Sequence, residues 1–278
     1  MRVRLSGRGL AVQTERVRIP AGTRHISTLV VRPRELRSDA PGVLWLHGGG
    51  FATGMKEMVF MSRAIDLVTQ LGAVVVAPDY RLSWQAPYPA ALHDCYAVLL
   101  WMCDHAGELG IDSARLVVGG ESAGGGLTAS LCMLARDAGQ VKIAFQMPLY
   151  PMLDNLDTES SRDNHARIWN TRRNHQAWYL YLRQDARSVQ VSPYAAAARQ
   201  TDYRNLPPAY TFVSTAEPFY AETLAYVEAL RAAGVPVEVD VYEGLYHAFD
   251  MMEPNLPQSR EARRRFIEKA REALGFNL

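Results

Sequence analysis

Two hydrophobic periods alternate along the chain. Short runs rich in Val, Leu and Ile, bounded by Gly or Pro, fall at residues 43–47, 73–77, 116–119, 209–215 and 237–242. They are expected to form strands covered on both faces. Between them lie stretches with helical spacing, at 58–71, 90–105, 125–138 and 220–233. The last of these runs into Gly234 and then Val235-Pro236, a helix stop followed by a residue that cannot continue the helix. Repeated strand–helix alternation predicts a mostly parallel sheet flanked by helices on both sides. The start of the chain differs. Residues 10–19 and 25–31 flank Pro20-Ala21-Gly22, which predicts an antiparallel hairpin at one sheet edge. From about 155 to 204 the rhythm breaks into a polar, arginine-rich stretch carrying Trp169, Trp178, Tyr179 and Tyr181. This predicts a helical insertion lying over the sheet, inside one domain that spans 1–278. A helix over 259–274 closes the chain.

Composition narrows the class. Hydrophobic residues make up 48% of the 278 and charged residues 21%, which is globular usage rather than that of a disordered chain. Thirty Lys and Arg against twenty-nine Asp and Glu leave a net charge of +1. That balance gives no reason to expect nucleic acid or an anionic membrane as a partner. The six arginines at 2, 4, 8, 16, 18 and 24 are a local excess, read as solvated surface. The three cysteines, Cys95, Cys103 and Cys132, are odd in number and none are spaced as CxxC. This speaks against a disulfide framework or a cysteine-held metal, and for reduced thiols in the cytoplasm. The opening MRVRLSGRGL has no apolar run after its basic residues, so it does not read as a signal peptide. No run of about 20 apolar residues is long enough to span a membrane.

The sharpest chemical feature is Gly120-Glu121-Ser122-Ala123-Gly124, between the apolar RLVVGG and the helical GGLTASLCMLA. Strand, G-x-S-x-G, helix is the context of a nucleophile elbow, in which the chain turns sharply and presents the serine at a helix N-terminus. A second feature, His47-Gly48-Gly49-Gly50, follows the strand VLWL. Successive glycines let backbone N–H groups approach a ligand closely, and acyl transfer needs donors where a carbonyl oxygen becomes an oxyanion. Ligands bind beyond the carboxyl ends of parallel strands, which places this loop beside Ser122. No phosphate-loop pattern follows, and the His47 side chain is suited to bracing the loop.

A serine hydroxyl needs a base, and the base needs an orienting carboxylate. In an elbow of this kind the chain order is serine, acid, histidine. Of the seven histidines, those at 25, 47, 93 and 105 precede Ser122, and His165 and His175 lie in the polar insertion. Only His247 follows a late strand, in Glu243-Gly244-Leu245-Tyr246-His247. The first acid after the preceding strand is Glu217, 95 residues beyond Ser122 and 30 before His247. Glu222 is the next candidate, a turn into the following helix and better suited to the surface or to supporting work. Asp240 lies within a strand, and Asp250 is close to His247 in sequence.

The blocks HGGGFATG, PDYRL with its following 89–94, GESAGGGL, LPPAY, AGVPVEV and YHAFD resemble, in order, the recurrent motifs of the hormone-sensitive-lipase-like (bacterial family IV) esterases. The resemblance runs from about residue 40 to 250. It implies the α/β-hydrolase fold, with Ser122 as nucleophile and His247 as base. It also implies an oxyanion hole from the N–H groups of Gly49, Gly50 and Ala123, with no metal or cofactor. Asp79 and Arg81 would hold the oxyanion loop by charge-assisted bonds. Two departures stand out. The family places an aspartate where this chain has Glu217, one methylene longer, so the loop should sit slightly back. Only 46 residues precede His47, so a reduced N-terminal cap is expected, with the 155–204 insertion as the main roof.

The expected function is a serine carboxylesterase acting on short- to medium-chain acyl esters through a Ser-His-Glu triad and an acyl-enzyme. The expected partner is a small ester, and a homodimer is the assembly the resemblance allows. An amidase or arylformamidase on the same scaffold is the alternative within hydrolases. A non-catalytic ligand receptor is the alternative outside them, disfavoured because Ser122 and His247 are both present.

Overall fold

The apolar runs condense into one nine-stranded sheet in a computed structural model that describes residues 3–6, 12–37 and 39–276. In chain order the strands and helices are β1 (Val3–Ser6), β2 (Val12–Ala21), β3 (Arg24–Pro33), β4 (Ala40–Leu46), α1 (Ala64–Leu71), β5 (Val74–Pro78), α2 (Ala90–Asp104), α3 (Ala106–Leu109), β6 (Ile111–Glu121), α4 (Ala123–Ala138), β7 (Phe145–Leu149), α5 (Thr171–Leu182), β8 (Ala209–Ser214), α6 (Tyr220–Ala232), β9 (Val237–Tyr242), α7 (Phe249–Met252) and α8 (Pro257–Ala273). Spatial order is β1-β2-β3-β5-β4-β6-β7-β8-β9. From β5 through β4, β6, β7, β8 and β9 every pairing is parallel. The pairings β1–β2, β2–β3 and β3–β5 are antiparallel. The expected hairpin is therefore present as β2–β3 at one edge, with β1 outside it. The start of its first arm, Leu10 and Ala11, lies outside the described residues, as do Arg2 and Arg8.

Consecutive apolar residues point to opposite faces, and each face has its own core. Leu44, Leu46, Val74, Val76, Leu116 and Val118 pack with α2 and α4. Val43, Trp45, Val75, Ala77 and Val117 pack with α1 and α8. Trp45 and Phe266 meet edge to face, 5.9 Å between centroids, which ties the sheet to α8.

Three elements depart from expectation. β9 is the last strand in the sheet order, and its Glu238 and Val241 are exposed, so it is not covered on both faces. The helix expected over 58–71 is shorter: a 3₁₀ turn at Lys56–Phe60 comes first, and α1 begins at Ala64. β7 was not anticipated, because Gln146 and Pro148 interrupt its apolar run. The fold satisfies the polar group instead. Gln146 Nε2 donates to the Pro207 carbonyl (2.8 Å), and its Oε1 accepts from the Tyr226 hydroxyl (2.8 Å). The stretch 155–204 contributes α5 and irregular backbone, and α5 packs on the loop after β4. Phe51 of that loop stacks on Tyr181 at 4.0 Å. Ahead of β4, the described residues form β1, β2, β3 and their connections. No described helix is long and apolar enough to cross a membrane.

Phe266 is fully buried. Phe266→Ala is expected to lower stability by about 3–5 kcal/mol, read from the urea unfolding midpoint at unchanged slope.

Candidate active site

β4 and β6 run parallel as neighbours, with Leu46 opposite Gly120, so the loops leaving their carboxyl ends emerge side by side. The loop after β6 is a sharp turn. Ser122 sits at φ 57°, ψ −119°, a conformation that costs a non-glycine residue about 1–3 kcal/mol. Backbone bonds hold it there. Ser122 N–H donates to the Leu149 carbonyl (3.0 Å), and the Ser122 carbonyl accepts from Gly126 (2.9 Å) and Met152 (3.0 Å). The turn also needs bare backbone at Gly124, where a Cβ would stand 1.9 Å from the Leu46 carbonyl oxygen. α4 starts at Ala123, so the Ala123 N–H is one of the amides a helix leaves free at its positive end.

The loop after β4 lies directly against this turn: a Cβ on Gly48 would be 3.3 Å from Ser122 Cβ. Gly49 has φ +116°, and a Cβ there would lie 2.3 Å from the Thr53 carbonyl oxygen. Its own carbonyl accepts from Ala52 and Thr53 N–H, which closes the turn. The loop is braced from below. The Tyr80 hydroxyl donates to the His47 carbonyl (2.7 Å), and His47 Nδ1–H donates to the Gly48 carbonyl (2.8 Å). Burial lowers the His47 pKa and favours its neutral form, which suits a bracing ring. Ser83 N–H and hydroxyl both donate to the Phe51 carbonyl. Of the two charges expected to hold this loop, only Asp79 reaches its end, accepting Lys56 N–H at 2.8 Å. Arg81 instead forks onto Asp94 of α2 (Nε–Oδ2 3.0 Å, Nη2–Oδ1 2.8 Å), because the strand-end turn aims it at that helix.

β8 and β9 are parallel neighbours with Ser214 opposite Tyr242, so the loops bearing Glu217 and His247 also emerge together. His247 Nε2 lies 2.9 Å from Ser122 Oγ, and His247 Nδ1 hydrogen-bonds Glu217 Oε2. Glu217 Oε1 accepts from Ser214 N–H at 3.0 Å, which folds the longer side chain back onto the end of its own strand. Ser122, His247 and Glu217 are 5%, 3% and 0% exposed. The rings of Tyr150 and Phe219 flank the His247 ring in T-shaped contacts, each with centroids 5.0 Å away. The tautomer with hydrogen on Nδ1 leaves Nε2 free to accept the serine proton.

The other acids go elsewhere. Glu222 is buried, not at the surface, and its Oε1 accepts from Leu153 (2.6 Å) and Asp154 (3.2 Å) N–H. Burial pushes its pKa well above the carboxylate range. Asp240 accepts from the Tyr210 hydroxyl, 2.8 Å. Asp250 accepts from the Tyr150 hydroxyl, 3.1 Å. Among the described residues no group of three or more His, Cys, Asp or Glu could hold a metal ion. Tyr150 and Phe219 lie outside the residues that sequence pattern marks for the site, since a lone aromatic carries no periodic signal; Trp169 belongs to the aromatic set of the insertion. The Trp169 ring stands where a Cβ on Gly50 would be, at 2.3 Å.

A family profile for the alpha/beta hydrolase fold matches residues 43–251. The chain belongs to the α/β-hydrolase family. Within this family it is similar to Esterase LipI of Mycobacterium tuberculosis, at 34% identity over 86% of this chain and 74% of that protein. It is similar to Carboxylesterase NlhH of the same organism, at 33% identity over 91% of this chain and 80% of that one. Among α/β-hydrolases of known structure it superposes on a Bacterial Heroin Esterase with a TM-score of 0.90. The identity there is 34%, over 95% of this chain and 85% of that one. These relatives agree with the hormone-sensitive-lipase-like resemblance of the motifs.

Gly124→Ala is expected to cost about 3 kcal/mol, because two backbones would have to part to admit one methyl. Urea unfolding monitored by tryptophan fluorescence checks this.

Proposed function

We propose that this α/β-hydrolase is a serine carboxylesterase that cleaves short- to medium-chain acyl esters through Ser122, His247 and Glu217. The contact that carries the reading is His247 Nε2 at 2.9 Å from Ser122 Oγ while Nδ1 faces the Glu217 carboxylate. In this reading His247 takes the serine proton as Oγ attacks the ester carbonyl. Glu217, dry and already bonded to Ser214 N–H, stabilises the imidazolium and fixes its tautomer. The N–H groups of Gly49, Gly50 and Ala123 bind the oxyanion, each such donor being worth roughly 10²–10³ in turnover. The alcohol leaves with the proton from His247, and water releases the acid by the same route. The chemistry needs side chains and backbone alone. Three unpaired thiols, with Cys95 and Cys132 buried, suit the cytoplasm.

The acyl-length reading is supported by bulk close to the nucleophile. Trp169 and Ala177 both crowd Gly50, and Phe219 lies 6.3 Å from Trp169 across from His247. An insertion that places indole there leaves room for small acyl groups and roofs the site from the 155–204 side.

Hydrolysis of p-nitrophenyl acetate through p-nitrophenyl decanoate tests the reading. Turnover should peak at short chains, and Ser122→Ala should lose at least about 10⁴-fold in kcat. Residual activity near wild type in that variant would sink the assignment, and faster cleavage of matched anilides than of esters would favour the amidase alternative. Glu217→Asp should keep more activity than Glu217→Ala; equal, full activity in both would remove Glu217 from the mechanism. Trp169→Ala should move the optimum toward longer acyl chains by weakening the steric limit, with kcat on the acetate ester changed by less than about tenfold.

A further inference from the structure

Beneath the candidate triad lies a buried charge network that the acyl-transfer steps leave unused. Its hub is Arg63, 7% exposed, at the start of α1. The guanidinium faces two buried carboxylates: Nη1 is 3.2 Å from Asp66 Oδ2, and Nε is 3.3 Å from Asp250 Oδ2. Nε and these two carboxylate oxygens lack aligned hydrogen bonds, so the Arg63–Asp250 attraction is charge against charge in a dry interior. There an unpaired ion is costly and a partner counts for far more than at a surface. Asp250 is three residues beyond His247, in α7. Its other oxygen accepts the Tyr150 hydroxyl at 3.1 Å, and the Tyr150 ring is one of the two that flank His247 in T-shaped contacts.

Arg63 touches the other side of the site as well. Its backbone N–H donates to Glu121 Oε1 at 3.3 Å, and Glu121 adjoins Ser122. Glu121 Oε2 accepts from Trp45 Nε1 at 2.8 Å. Burial pushes the Glu121 carboxyl up to about 8, against the pull of Trp45 and Arg63. Burial also raises Asp250, and Arg63 and Tyr150 counter it. The charged or titratable groups around Asp250 are Arg63, Tyr150, Glu121 and Glu217. Arg63 is the cation of this set.

From this geometry we infer that Arg63 is a positioning residue for His247. It holds Asp250, Asp250 holds Tyr150 and the first turn of α7, and together they set the imidazole over Ser122. The inference rests on the triad reading. Burial and the link to both loops argue for a role in alignment, since a surface pair would contribute little to either loop.

The test expresses kcat per active site, counted by labelling Ser122 to completion with a fluorophosphonate, with p-nitrophenyl acetate as substrate. Asp250→Asn and Arg63→Met should each lower kcat per labelled site by between about tenfold and 100-fold, with KM held within about twofold. Arg63→Lys keeps the charge and should recover most of that loss. The double variant Arg63→Met/Asp250→Asn should be no slower than the slower single one, because both act through one pair. Wild-type kcat per labelled site in Asp250→Asn, with only the melting temperature lowered, would overturn the inference and leave Arg63 a structural ion. Should Arg63→Met not fold, Asp250→Asn and Arg63→Lys decide alone, since Asp66 keeps Arg263 as a partner in both. Wild-type protein that is folded but neither labels at Ser122 nor turns over an ester would overturn the triad reading, and this inference with it. Normal wild-type turnover with unaffected variants would overturn the inference alone.

Discussion

The start of α4 seats on the end of β4 with almost no material between them. Gly124 lies so near the Leu46 carbonyl that a methyl group would overlap it, and Gly48 of the next loop lies against Ser122. This close approach joins the turn after β6 to the glycine loop after β4, and everything else in the site is arranged around the junction. A side chain at Gly124 would push α4 outward and carry Ser122 away from both the loop and His247. The unfavourable φ of Ser122 is sustained by three backbone bonds, one from its N–H to β7 and two to its carbonyl. Strain at the tip is thus supported by a frame that spans three neighbouring strands.

The carboxylates near this junction differ in what surrounds them, and that decides what each can do. Glu217 meets one backbone donor and one imidazole. Glu222 meets two backbone donors and is held by burial well above the usual carboxylate range, so it secures the segment after β7. Asp250 meets a hydroxyl and an arginine. Glu121, beside the serine, meets an indole and a backbone amide. All are buried, so burial alone does not sort them. Partner type does: of these four only Glu217 faces an imidazole, whose tautomer and charged form a carboxylate can stabilise.

Much of this was legible in residue order. Short apolar runs bounded by Gly or Pro marked the strands, and the glycine-flanked serine and the glycine loop marked the two strand ends that meet. His247 and Glu217 were found by their place after the last two strands of that pattern. Other features left no trace in local pattern. β7 was hidden by Gln146 and Pro148, because only contact with Pro207 and Tyr226 makes the buried amide tolerable. Arg81 was assigned to the wrong partner, since sequence does not show that its turn faces α2.

The sequence by itself determined the alternation of strand and helix, the strand-end loops that carry the candidate chemistry, and the family. These follow from local rules: hydrophobic period, glycine at tight turns, and motif order. Tertiary structure alone decided which aromatic rings flank His247, where Glu222 and Asp250 find their partners, and how Arg63 is shared between the loops. Those contacts join residues far apart along the chain, and in a dry interior each depends on the position of the next.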